Sequence, residues 1–211
     1  MYYYYKNNNQ KPLLRGKSHL LFLIFSPYWI YLFMINNYNY ILSFIYLFGN
    51  FNLFLISSIY HNYNWKDKKS EDIIKKLDYI SIHINSYSTM VGIYSSLIYP
   101  LYINTLFTFI GIVYSYYSVN KNYKVNSLTY IITPLPALII SGKDIINIIN
   151  LNNKILLLLT LIQYIFVAFI YKYKYPVLWK NIFGYHEIMH LFTIGGFISS
   201  YLLNYNLLII P

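Results

Sequence analysis

The 211 residues are 57% hydrophobic and 21% aromatic but only 10% charged, against about 25% charged in an ordinary soluble domain. This excludes a water-soluble globule and points to an all-α protein embedded in a bilayer. There is no cysteine, which excludes a disulfide framework or a thiolate metal site and leaves His and carboxylate to hold any transition metal; the formal net charge of +10 reads as lysines in cytosolic loops, with no nucleic-acid motif present.

Residues 1–17 form a basic cytosolic tail with Lys6, Lys11, Arg15 and Lys17, too polar and too poor in cleavage signals for a signal peptide. Its tracts YYYY and NNN, like the general excess of Tyr, Asn, Ile and Lys, read as drift towards AT-rich codons, so many tyrosines fill generic apolar or interfacial positions. Residues 18–211 read as one domain of seven transmembrane helices. The spans fall at about 18–35, 40–60, 77–97, 101–119, 125–141, 155–171 and 184–203. Each is long enough to cross about 30 Å of hydrocarbon at about 1.5 Å per residue. Pro134 and Pro136 predict a kink in the fifth. Asn36 to Asn39 make an uncharged turn, the most polar loop covers 62–76, and a loop with Lys143, Asp144 and Lys154 precedes the sixth span.

The lysines set the orientation. With a cytosolic N-terminus, the tail and loops 2–3, 4–5 and 6–7 hold four, five, two and three basic residues, 14 of the 16. Only Lys143 and Lys154 face outward. That bias predicts a multi-pass integral membrane protein with its N-terminus inside and its C-terminus lumenal or extracellular.

This topology gathers polar residues at one depth. His186 and His190 are four apart, on one face of the seventh span. Ser57 and His61, also four apart, end the second span, and Asp78 opens the third. Intramembrane imidazoles are costly unless they pair, meet water or bind a metal. Three of them with an open fourth position match a catalytic zinc site, with His61, His186 and His190 as ligands. Asp78, an ionisable group costing roughly 2.5–3.5 kcal/mol at mid-bilayer and less near the interface, is then placed to hold and deprotonate a metal-bound water. Ser57 is expected to bond that water, a substrate oxygen or its own helix backbone. Glu187 points away from the faces of its neighbours. His19 and His83 have no partner at comparable spacing and are assigned to packing or the interface.

SSIYH (Ser57 to His61), KLDY ending the basic loop, FGYHEIMHLF, and KPLLRGKSH with its P-x-x-R-G-x-x-H pattern resemble the hemolysin III branch of the progestin and adipoQ receptor family, within a membrane-hydrolase superfamily that includes the alkaline ceramidases. The resemblance covers nearly the whole chain. It implies a seven-helix bundle with zinc near the cytosolic side on His61, His186 and His190, and Ser57 and Asp78 at the water. One departure is Tyr79, where bacterial members usually carry His.

Four functions are weighed. The first is a zinc-dependent hydrolase of ceramide-like lipid amides. The second is a pore-forming cytolytic protein, for which no span is an amphipathic channel helix. The third is an intramembrane metalloprotease reading HEIMH as H-E-x-x-H with Glu187 as base. The fourth is a ligand receptor with structural zinc. Membrane lipid and a zinc ion are the expected partners, nucleic acid is not, and an oligomer is left open.

Overall fold

Helix starts are written in short polar side chains. Asn39, Asp67 and Asn150 each accept the backbone N–H three residues on, from Leu42, Ser70 and Asn153, at 3.1, 2.8 and 2.9 Å, satisfying donors that the first helical turn leaves open. The structure is a computed structural model and describes residues 4–5, 9–10, 12–35, 37–120 and 128–209. Among these the protein is all-α apart from a two-residue antiparallel ladder, β1 (Tyr4–Tyr5) against β2 (Asn9–Gln10). The helices are α1 (Lys17–Ile24), α2 (Ser26–Met34), α3 (Tyr40–Asn62), α4 (Lys68–Met90), α5 (Ile98–Asn120), α6 (Thr129–Ile132), α7 (Leu135–Ile148), α8 (Leu151–Tyr173) and α9 (Tyr185–Leu208), with a 3-10 turn at Ile93–Ser96.

The expected boundaries shift for identifiable reasons. The 18–35 stretch is two helices meeting at Phe25, because Pro27 in the first turn of α2 has no N–H with which to continue the ladder. The fifth stretch divides likewise at Pro134 into α6 and α7, and α7 runs on to Ile148, so Lys143 and Asp144 are helical rather than in a loop. Asp67 starts α4 at Lys68, so residues 68–76 of the expected polar loop are helix, and Asp78 lies three turns in rather than at the helix mouth. Lys6, Lys11, Lys121 and Lys124 lie outside the described residues, as do Asn36 of the expected uncharged turn and the start of the fifth span at 125.

The distribution of polarity is that of a membrane protein. Large apolar side chains such as Ile41, Phe44, Phe109, Ile139, Leu151 and Leu158 are exposed, while Asn50, Ser81, His83, Asn104, Thr160 and Asn204 are fully buried. In water this arrangement is unfavourable; in hydrocarbon it is expected, since polar groups must find partners inside. By length and composition, α3 and α8 are each long and apolar enough to cross a membrane.

Interior polar groups tie the helices together. Asn85 donates to Asn50 Oδ1 at 2.8 Å and joins α4 to α3. Asn204 on α9 donates to the Thr89 carbonyl at 3.0 Å and accepts the Gly92 N–H at 2.8 Å. Tyr46 and Ser200 join α3 and α9 at 3.0 Å. Such bonds average about 0.6 kcal/mol in a bilayer, so they fix register more than they add stability. His83 bonds Ser115 through Nε2 at 2.9 Å and Thr133 through Nδ1 at 3.2 Å, joining α4, α5 and the end of α6. Apolar packing fills the rest: Trp29, Phe33, Tyr46, Phe54 and Phe197 in one cluster, Met90, Tyr94, Ala137, Ile145 and Leu203 in another. Helix α9 contributes to both. It also lies along α8, where Gly195 and Gly196 leave room for Gln163 and Tyr164; a Cβ at Gly196 would stand 3.0 Å from the Tyr164 ring.

Candidate metal centre

Four helix segments meet at one end of the bundle: the last turn of α3, the third turn of α4, and the first turns of α9 and α1. His61 is the penultimate residue of α3 and His186 the second of α9, with His190 one turn further. All three are buried. The Nε2 atoms of His61 and His186 are 3.1 Å apart, and one ring nitrogen from each of the three lies within 4.8 Å of the others. Ring centroids are separated by 4.5 Å (His61–His186), 4.6 Å (His186–His190) and 5.1 Å (His61–His190). His190 Nδ1 is buried with no hydrogen-bond partner among the described residues.

This donor set suits a metal ion. Metal–imidazole bonds of about 2.0–2.1 Å in a tetrahedron set nitrogen atoms about 3.3 Å apart, close to the 3.1 Å between His61 and His186. The buried His190 Nδ1, without a hydrogen-bond partner among the described residues, is a polar atom that a cation here would satisfy.

Ser57 lies one turn before His61. Its hydroxyl is 3.0 Å from His19 Nδ1 and bonds the Asp78 carboxyl. Asp78 is buried but is not one of the three clustered donors; it stands beside them at Ser57. The next residue, Tyr79, places its hydroxyl 3.3 Å from that of Tyr171.

Glu187 is buried and turned from the three rings. Its Oε1 accepts from Arg15 Nε at 2.6 Å and its Oε2 accepts the Gly184 N–H at 2.7 Å, closing the first turn of α9. The segment before α1 is held by further bonds: the N–H groups of Leu13 and Leu14 donate to the carbonyls of Asn181 and Ile182 at 2.9 and 3.2 Å, and Asn62 donates to the Gly16 carbonyl at 3.1 Å. Gly16 has φ +72°, and a Cβ there would stand 2.5 Å from His61 Cβ.

The family model for haemolysin-III related proteins matches residues 7–201. The chain belongs to that family. Haemolysin-III proteins are membrane proteins, in keeping with the apolar exterior. A search of curated proteins returns no match.

Sequence reading of this haemolysin-III chain brings together Ser57, His61, Asp78, His186 and His190, and the fold does gather them. It misplaces His19. Rather than an interfacial or merely packed ring, His19 is buried inside the centre, stacked on His190 with centroids 3.8 Å apart and planes 6° from parallel. Arg15 likewise is an ion-pair partner of the site helix α9 as well as a basic tail residue. The signal for both lay in the pattern Pro12-x-x-Arg15-Gly16-x-x-His19, which carries a resemblance but no spacing that pairs with α9.

Proposed function

We propose that this protein is a zinc-dependent integral-membrane hydrolase of ceramide-like lipid amides. Its domain, residues 18–211, forms seven spans with the catalytic end cytosolic. The observation that carries the reading is the three-imidazole cluster of His61, His186 and His190 beside the Ser57–Asp78 pair. Seven passes are supported by pairing α1 with α2 and α6 with α7 across their proline breaks and taking α3, α4, α5, α8 and α9 as one pass each. The inward face is assigned by the 14-to-2 distribution of basic residues.

Zinc is the metal expected of an all-imidazole, cysteine-free donor set; when bound it supplies positive charge that polarises a carbonyl and acidifies water. Asp78 is the general base. It takes a proton from the attacking water as the water oxygen bonds the amide carbon. The C–N bond then breaks, and Asp78 returns the proton to the departing amine, giving a carboxylic acid and an amine. Ser57 orients the water against Asp78. Exposed apolar side chains such as Tyr63 and Leu77 at this end offer the acyl chain a lipid-facing surface.

The protease-like alternative needs Glu187 as base, but both its oxygens are engaged by Arg15 and the Gly184 N–H. The test is metal analysis of the purified protein together with turnover of a fluorescent lipid amide. One zinc per chain with turnover that a chelator removes is the expected result; full metal occupancy without turnover of any lipid amide overturns the hydrolase reading.

A further inference from the structure

We propose that His19 is a positioning residue of the centre: it commits the Ser57 hydroxyl to Asp78 through a hydrogen bond from its Nδ1 and fixes the plane of the His190 ring by stacking flat against it. This deepens the hydrolase reading and rests on it for the role of Ser57.

The argument begins with how firmly His19 is held. It lies in the first turn of α1, three and four residues after Gly16 and Arg15, which are tied to Asn62 and Glu187. Its ring lies flat on His190 and meets Phe54 edge-on at 5.1 Å, with an interplanar angle of 85°. Nothing in that slot lets it turn.

The hydrogen-bond arithmetic then assigns direction. A serine hydroxyl has one proton and two acceptor sites, whereas a carboxylate only accepts. Ser57 bonds both Asp78 and His19. With Asp78 ionised, as a general base must be, the proton goes to Asp78, and His19 Nδ1 is then the atom that carries the proton donated to Ser57 Oγ. One acceptor site remains on Oγ, free to take a hydrogen bond from water. His19 Nε2 is buried and makes no hydrogen bond of good geometry among the described residues, although the ring lies in reach of the His190 backbone. A residue kept for packing alone gains nothing from carrying such a group; a phenyl ring fills the same slot without it. Residues that orient ligands in this way typically change metal affinity or activity by about 10–100-fold when altered.

The two contacts separate by substitution. His19→Phe keeps the flat ring on His190 and removes the donor. His19→Asn keeps a donor near the Nδ1 position and removes the ring. The full-length protein in lipid nanodiscs, loaded with Co2+ in place of zinc, gives a visible absorption spectrum sensitive to ligand geometry, and chelator competition gives affinity. We expect His19→Phe to keep the wild-type Co2+ spectrum and affinity while kcat on a fluorescent lipid amide falls about 10-fold or more, with no further fall when it is combined with Ser57→Ala. His19→Asn is expected to recover most of kcat at saturating metal while its Co2+ spectrum shifts and its affinity drops by about 10-fold. Identical Co2+ spectra and affinities for wild type and both variants overturn the proposal, as do multiplying effects of His19→Phe and Ser57→Ala. An inert wild type brings down the hydrolase reading, and the Co2+ data on the two variants still decide the role of His19.

Discussion

Arg15 Nε meets Glu187 Oε1 at 2.6 Å across 172 residues of sequence, with Glu187 buried and Arg15 nearly so. The pair clamps the entry of α1 onto the first turn of α9. Removing one member of a buried ion pair leaves an unpaired charge, at a cost of about 3–5 kcal/mol. Arg15→Ala is therefore expected to lower unfolding free energy by roughly 3 kcal/mol. Arg15→Ala with Glu187→Ala is expected to cost clearly less than the two changes summed. Denaturant titration in a mild detergent measures both, and strictly additive costs would remove the clamp.

Asp78 and Glu187 separate by role. Asp78→Asn is expected to reduce lipid-amide turnover by about 100-fold or more while zinc content is retained. Glu187→Gln keeps one oxygen acceptor for the Gly184 N–H and is expected to retain a measurable part of the activity. Both are compared at matched zinc occupancy. An inactive Glu187→Gln beside an active Asp78→Asn would reverse the assignment and restore the metalloprotease reading.

Metal removal is expected to act on stability as well as activity. An ion bound only by the folded chain stabilises it by about 2.7 kcal/mol at a hundredfold excess over Kd. Chelation should thus lower Tm in the wild type. It should leave Tm unchanged in a variant with His61, His186 and His190 all replaced by Ala. Elemental analysis accompanies the melts, and a triple variant that keeps its zinc would locate the ion elsewhere.

Gly16→Ala tests how closely the entry segment approaches the centre. The left-handed backbone at φ +72° costs an L-residue about 1–2 kcal/mol. The new Cβ would also stand 2.5 Å from His61 Cβ, a distance only backbone movement can relieve. We expect both thermal stability and zinc affinity to fall. Loss of stability with unaltered affinity would mean that the clash is relieved away from His61.

The absence of native cysteine makes single-cysteine mapping of topology clean. Asn64→Cys, in the loop between α3 and α4, and Leu178→Cys, between α8 and α9, are expected to react with an impermeant maleimide only from the cytosolic side. Asn152→Cys should react only from the opposite side. Labelling of position 64 from outside would invert the orientation.

Much of the centre was legible because its parts repeat at helical spacing. Ser57 with His61 and His186 with His190 each declare a face, and the lysines put those faces at one end. His19 stands alone in an eight-residue helix, so no periodicity marks it, and its partners are 38 and 171 positions away. Helix boundaries failed where capping chemistry outweighed hydropathy: Asp67 extends α4 through a lysine-rich stretch that reads as loop, while Pro27 divides one apolar run into two helices. The close fit of α8 on α9 at Gly195 and Gly196 depends on neighbours that the sequence does not pair.

The 125 residues between His61 and His186 have a consequence for how the protein is made. At about 5–20 residues per second, His61 is synthesised on the order of ten seconds before His186 exists. Throughout that interval the nascent chain offers one imidazole of the three, which holds an ion only weakly. If the centre takes up the proposed ion, loading would therefore follow completion of α9. On that reading a bound ion would mark a chain whose α9 is in place, and a chain stalled before it would be distinguishable by its lack of metal.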